Sequence, residues 1–322
     1  MSNKTEETKK TRIFIDGREG TTGLRIYDRL ADIDDIELIV LSEEDRKNTE
    51  KRKEALNSSD ISFLCLPDAA AIEAAELVEN ENTVLIDTST AHRTDPDWAY
   101  GMPELSEEHM DKIINSKRIA VPGCHASGFI ALIYPLIEKG VISKDLRLSC
   151  FSLTGYSGGG KNMIAEYNDS VIRNDMYKAP RQYGLTQNHK HLKEMKEITG
   201  LKTNPVFCPI IADYYSGMEV TVPLFKEDLN DGYTVKDIKK LYKEKYNGKI
   251  ISYVEGDDEN GFMSAIALSG YDNMQISVKG NDERILLVAR YDNLGKGASG
   301  AALECLNYKL GKDITSGLNI KE

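Results

Sequence analysis

The chain has 322 residues, and its 41 Lys and Arg against 52 Asp and Glu give a formal net charge of −11. That balance argues against a nucleic-acid binder, which carries a basic face, and the length suggests two domains with a core that needs no disulfide. The five cysteines are odd in number, widely spaced and free of CxxC or Cys/His ligand patterns, so no zinc or other metal site is expected.

Residues 1–10 are polar and charged, and are expected to form a frayed tail. No apolar leader opens the sequence and no apolar run reaches the ~18 residues of a membrane span. A reduced, cytoplasmic protein away from membranes is the simplest expectation.

The first predicted strand covers 11–17, and the first helix 21–31, with helical spacing at Leu24, Ile26, Tyr27 and Leu30. Further strands are predicted at 36–41, 61–67, 83–89 and 118–124, with a helix at 69–79 after the third. Apolar strands alternating with helices specify βαβ units and a parallel sheet. Residues 11–122 therefore read as a doubly wound α/β domain of Rossmann type. After about residue 145 the strand-like segments alternate more and few helices separate them, which points to an α+β domain with a mixed, largely antiparallel sheet. Residues 295–311 read as a helix with small residues on one side, returning to the first domain. The expected division is 11–122 with 293–322 for the first domain and 123–292 for the second.

Gly17, Gly20 and Gly23 form a GxxGxxG loop between the first strand and helix, with Thr21 and Thr22 before the last glycine. Glycines let backbone approach a pyrophosphate, and the helix N-terminus supplies free N–H groups. A dinucleotide is therefore expected there; a plain glycine-rich turn is the alternative. An acid after the second strand would bind ribose hydroxyls. Ser42 stands there instead, with Arg46 close by, and this favours a 2′-phosphate and hence NADP.

Cys124 follows a strand and a Pro-Gly turn and precedes a helical segment. A helix N-terminus lowers a thiol pKa, so Cys124 is the expected nucleophile, carried as thiolate. Cys65, Cys150, Cys208 and Cys305 lie in apolar segments and are expected in the core. His125 is read as lining the pocket or packing. A thiol nucleophile needs an acid/base partner. His191 ranks first because Glu194, three residues on, shares its helix face and would orient the imidazole. His189 is the neighbour that either shares this role or binds substrate. Gly155 to Lys161 form a loop able to offer N–H groups and a cation to an oxyanion. Arg93, beyond the fourth strand, and Arg181 are candidates for an anionic substrate group.

The segments DGREGTTG (16–23), LPDAAA (66–71), DTSTAHR (87–93), YGMPEL (100–105), VPGC (121–124), GYSGGGK (155–161), HKHLKE (189–194) and DNLGKGASG (292–300) occur in this order along about nine-tenths of the chain. On these segments the chain resembles the short-form N-acetyl-gamma-glutamyl-phosphate reductases of the semialdehyde dehydrogenase superfamily. The resemblance implies an arginine-biosynthetic oxidoreductase that uses NADPH to reduce an acyl phosphate to an aldehyde through a thioester on Cys124. It implies a Rossmann domain built from both chain ends, a catalytic and dimerisation domain between them, and a homodimer or homotetramer. It assigns the catalytic histidine to the HxHxxE segment without choosing between His189 and His191. Pro67 and Asn293, with the Lys296-Gly297 turn, are expected at the cofactor, and Ser127 at the substrate. One departure is visible: the family usually has Asn before the Pro-Gly-Cys and Tyr after it, where this chain has Val121 and His125. Reductases of aspartyl phosphate or of carrier-bound aminoadipyl phosphate would share this chemistry, and a non-catalytic NADPH sensor is the alternative from another class.

Overall fold

The computed structural model describes residues 9–169 and 174–322, so most of the expected tail, residues 1–8, lies outside the described residues. Two sheets organise the chain. The first contains β1 (Thr11–Asp16), β2 (Ile36–Ile39), β3 (Ile61–Leu64), β4 (Val84–Asp87), β5 (Ala99–Tyr100) and β6 (Arg118–Ala120). All are parallel, in the order β2-β1-β3-β4-β6-β5. Every residue of β3 is buried because both sheet faces are covered. On one face Ile13 and Ile15 pack with α1 (Thr21–Leu30), with Ile113 of α4 (Glu107–Asn115) and with α9 (Gly300–Leu310). On the other, Phe14 and Leu85 pack with α2 (Thr49–Ser58) and α3 (Asp68–Glu76). The helix α9 thus returns from the far end of the sequence to complete the first core.

The second sheet contains β7 (Ser149–Gly155), β8 (Arg181–Gln182), β9 (Val206–Ala212), β10 (Met218–Phe225), β11 (Ile251–Tyr253), β12 (Met274–Gly280) and β13 (Arg284–Tyr291). Their order is β11-β12-β13-β10-β7-β9-β8. The pairs β11–β12 and β7–β9 are parallel and the other pairings antiparallel, so the sheet is mixed and largely antiparallel. Among the described residues four helices accompany it: α5 (Cys124–Glu138), α6 (Gly160–Asn168), α7 (His191–Thr199) and α8 (Val235–Lys245).

The helix α5 is the centre of this half. It is apolar on all sides and buried from His125 to Ile133 and again from Pro135 to Ile137. Pro135 lacks the N–H that would bond the carbonyl of Ala131. The hydroxyl of Tyr246 donates to that carbonyl instead, at 2.7 Å, and Tyr242 donates to the next one, of Leu132, at 2.5 Å.

The predicted strands of the first sheet end one to four residues too late. The two-residue strands β5 and β8 carry no readable pattern. The stretch 264–273, which belongs to the strand-like sequence after residue 145, is a run of turns and coil. The helix α8 was not expected: its buried stripe of Val235, Ile238 and Tyr242 lies among lysines. The helix read over 295–311 opens as a π-helical turn, Gly295–Ser299, before α9.

Candidate active site

The carboxyl ends of β1, β3, β4 and β6 open onto a cleft of about 800 Å³, closed on its other side by the loop after β7, by α7 and by the turn after β13. A second cavity of about 560 Å³ continues from it through shared walls at Gly20, Cys65, Leu66 and Pro67.

Gly17 turns the chain out of β1 with φ +85°, and a side chain there would strike the carbonyl of Cys65. Only glycine tolerates both conditions. Gly20 precedes α1, whose first residues Thr21 and Thr22 line the larger cleft. Gly23 lies inside α1, buried behind the carbonyl of Gly17. The smaller cavity is walled by Arg18, Arg46, Lys47 and Arg52 together with apolar Tyr27 and Leu41. A cradle of backbone, an apolar slot and converging cations fit a phosphorylated dinucleotide. Arg52 is spent on Asp16 at 2.9 Å. Arg46 faces the cavity but pairs with Glu43 at 2.8 Å and reaches Glu19 at 3.8 Å. Ser42 is exposed, bonds Asp45 at 2.8 Å and does not line the cavity.

Cys124 is the first residue of α5, after the turn that ends β6. Burial raises its thiol pKa above the ordinary value, while Arg93, the N–H of His125 and Lys190 pull it down. The expectation of a resting thiolate is therefore corrected: desolvation outweighs the helix terminus. His191 opens α7 and is buried beside Gly123, whose Cα hydrogen faces the imidazole Nε2. Burial, reinforced by the charge of Arg93, holds His191 well below its usual pKa, so the imidazole is neutral. His189 is lowered to about 4 by burial and by Lys190, and its Nδ1 accepts the N–H of His191 at 3.2 Å.

Glu194 is buried on the same helix face as His191, but its partners are others. It accepts the N–H of Gly123 at 2.8 Å, the hydroxyl of Tyr100 at 2.7 Å and Arg93 at 3.1 Å. Among the described residues His191 Nδ1 has no partner. The Glu194–imidazole pairing read from the spacing is thus replaced by a carboxylate that takes up the nearest guanidinium. Arg93 lines the cleft while bonding Glu194, the carbonyl of Val121 at 2.8 Å and that of Thr88 at 3.0 Å.

The other expected residues divide. Arg181 lines the cleft, bonded to Tyr167 at 2.7 Å and stacked on Tyr177. Asn293 lines it too, donating to Ser157 at 3.0 Å and accepting from the N–H of Gly217 at 3.0 Å. The glycines of the 155–160 loop line it, but Lys161 points out to solvent. Ser127 bonds the carbonyl of Gly123 within its own helix at 3.1 Å and does not reach the cleft. Of the Lys296-Gly297 turn, Gly297 lines the cleft, whereas Lys296 is buried between Glu104 and Glu304 and does not. Cys150 and Cys305 are in the core, whereas Cys65 and Cys208 are half-buried. Sequence reasoning missed Tyr100 and Tyr183: neutral residues far from their partners give no local signal.

Residues 124–293 match the family described as semialdehyde dehydrogenase, dimerisation domain, and 29–113 match semialdehyde dehydrogenase, NAD binding domain. An N-acetyl-gamma-glutamyl-phosphate reductase of Sinorhizobium medicae is 43% identical over 308 residues, 94% of this chain and 99% of that one. Another, numbered 2, from Nostoc sp. is 41% identical over 323 residues, 96% of this chain and 99% of that one. The chain belongs to the N-acetyl-gamma-glutamyl-phosphate reductase family. It is an oxidoreductase of the semialdehyde dehydrogenase superfamily. Solved structures share the two-sheet fold at low identity. Aspartate semialdehyde dehydrogenase II of Vibrio cholerae, complexed with ASA, aligns with TM-score 0.70 and 17% identity over 94% of this chain and 99% of that one. The Candida albicans enzyme with NADP gives 0.68 and 17% over 95% and 100%. No helix among the described residues is long and apolar enough to cross a membrane.

Proposed function

We propose that the protein reduces N-acetyl-gamma-glutamyl phosphate to N-acetylglutamate semialdehyde, with NADPH, through a thioester on Cys124. The observation that carries the reading is the thiol of Cys124 at the start of α5 sharing a cleft with the buried imidazole of His191, with burial raising the pKa of the first and lowering that of the second. A protonated nucleophile needs a base, and a neutral imidazole is one. The high identity to named reductases over nearly the whole chain supports the substrate.

His191 takes the thiol proton, and the thiolate attacks the acyl carbon as Arg93 offsets its charge. The C–O bond to phosphate breaks and the thioester remains. The glycine loop and the cation-lined cavity would hold NADPH, whose chemistry there would be hydride supply to the thioester carbonyl. The resulting alkoxide collapses to the aldehyde and the Cys124 thiolate, which recovers its proton from His191. N–H groups at the start of α5 and in the 155–160 loop face the developing oxyanion and the phosphate. His189 supports His191 through the bond to its backbone, and Arg181 offers a cation to the substrate.

The test is the reverse reaction: protein, NADP, phosphate and N-acetylglutamate semialdehyde, followed by absorbance of reduced cofactor, with aspartate semialdehyde in parallel. Reduced cofactor with the acetylated substrate alone is expected. Signal with aspartate semialdehyde alone overturns the substrate and leaves Cys124. Signal with neither, despite NADP binding, overturns the reaction.

A further inference from the structure

A buried hydrogen-bond chain beside Cys124 takes no part in the steps above. His125 is 3% exposed, with Ser152 Oγ 2.6 Å from its Nδ1 and Tyr183 Oη 2.6 Å from its Nε2. Burial pushes its pKa down to about 3, so the ring is neutral and carries one N–H and one lone pair. Two arrangements are open to such a ring. Either Tyr183 donates to Nε2 and Nδ1 donates to Ser152, or the whole chain runs the other way.

Ser152 decides between them. It is 0% exposed, and His125 Nδ1 is its sole side-chain bonding partner among the described residues. A buried hydroxyl that donates to nothing is costly. Ser152 therefore donates to Nδ1, Nε2 holds the ring proton, and that proton goes to Tyr183 Oη. The proton of Tyr183 is then left for another acceptor, and Tyr183 lines the cleft with Cys124 and His191. Burial and the nearby charge of Cys124 raise the phenol pKa, so it remains a donor throughout the working range.

We propose that Tyr183 donates a hydrogen bond to the substrate's carbonyl oxygen as Cys124 adds to it, and that Ser152 and His125 are positioning residues that fix the direction of that donor. The inference deepens the reading under Proposed function and rests on it.

Two measurements test it. ¹⁵N NMR of histidine-labelled wild-type protein reads the tautomer without any turnover. Nε2-protonated His125 is expected, and an Nδ1-protonated ring overturns the relay even if the reaction itself is right. In steady-state reduction, Y183F is expected to lose about 100-fold in kcat, the scale of one missing oxyanion donor. Its NADPH binding and Cys124 alkylation should stay at wild-type values, which excludes a folding defect. H125A is expected to lose about tenfold in kcat at unchanged NADPH affinity, because the donor remains but is no longer aimed. Wild-type kcat in Y183F overturns the proposal. If wild-type protein turns over no acyl phosphate, the function fails and the donor role with it, while the tautomer result stands as a separate answer about the relay.

Discussion

Glu194 accepts the backbone N–H of Gly123 at 2.8 Å, so the helix that carries His191 is fastened to the turn that presents Cys124. The other oxygen faces Arg93 at 3.1 Å, and both side chains are buried. Removing one partner of a buried ion pair costs about 3–5 kcal/mol, because the other charge is left stranded. Glu194→Ala is expected to lower unfolding free energy by that order and to abolish turnover. Glu194→Gln, which keeps the shape, should lose less stability. Denaturant unfolding of both variants checks the order, and equal stability to wild type in Glu194→Ala would remove the carboxylate from this role.

The raised pKa of Cys124 fixes how its reactivity depends on pH. A pKa above the ordinary value, 9.0, leaves the resting thiol protonated at neutral pH. Iodoacetamide labelling should therefore be slow at pH 7 and climb as pH passes 9. Arg93 lowers this pKa, so Arg93→Ala should shift the labelling curve to still higher pH. A plateau already reached at pH 7 in wild-type protein would contradict both statements.

A methyl group on Gly123 would lie 2.3 Å from Arg93 Nη1 and 2.5 Å from His191 Nε2. Arg93 is held there by Glu194 and by the carbonyls of Val121 and Thr88, so making room would break those bonds. Gly123→Ala is expected to reduce kcat at least 100-fold, since small misplacements of reacting groups cost that much, while NADPH affinity is retained. Isothermal titration alongside kinetics separates the two, and kinetics near wild type would show that the imidazole can move aside.

Glu304 supplies a second pH dependence, this one in stability. Burial and the neighbouring Glu104 raise its carboxyl pKa from 4.5 to about 8, against the pull of Lys296. The folded form binds the proton more tightly than the unfolded chain does. That contribution is complete below the unfolded pKa and is lost as pH rises through about 8. Melting temperature should therefore fall between about pH 5 and pH 8. Glu304→Gln should flatten the fall, because the amide has no proton to lose. An unchanged slope in that variant would place the proton elsewhere.

The parallel sheet was legible because strands covered on both faces read as continuous apolar runs, and ISFL in β3 is buried throughout. The glycine loop and Cys124 were legible because a turn between a strand and a helix dictates local backbone geometry. Helical spacing placed His191 and Glu194 on one face, and the structure keeps both buried. Spacing could not tell which partner the carboxylate takes, since those partners come from 71, 94 and 101 residues away. The same holds for Tyr183, which meets His125 across 58 residues. The thiol pKa was misjudged for a related reason: desolvation depends on tertiary packing that one helix terminus does not encode. Lys161 and Ser127 were plausible by neighbourhood but point elsewhere.

The helix α9 fills one face of the first core with Ala301, Ala302, Leu303, Cys305 and Leu306. The ribosome makes this piece only after the whole second sheet. The dinucleotide-binding half must wait, with its sheet formed in part and one face bare, while the middle of the chain emerges. The first half to begin synthesis is thus the last to close, so a nascent chain stalled within the second sheet should remain open to protease at β1 and β3 although every strand of the first sheet is already made.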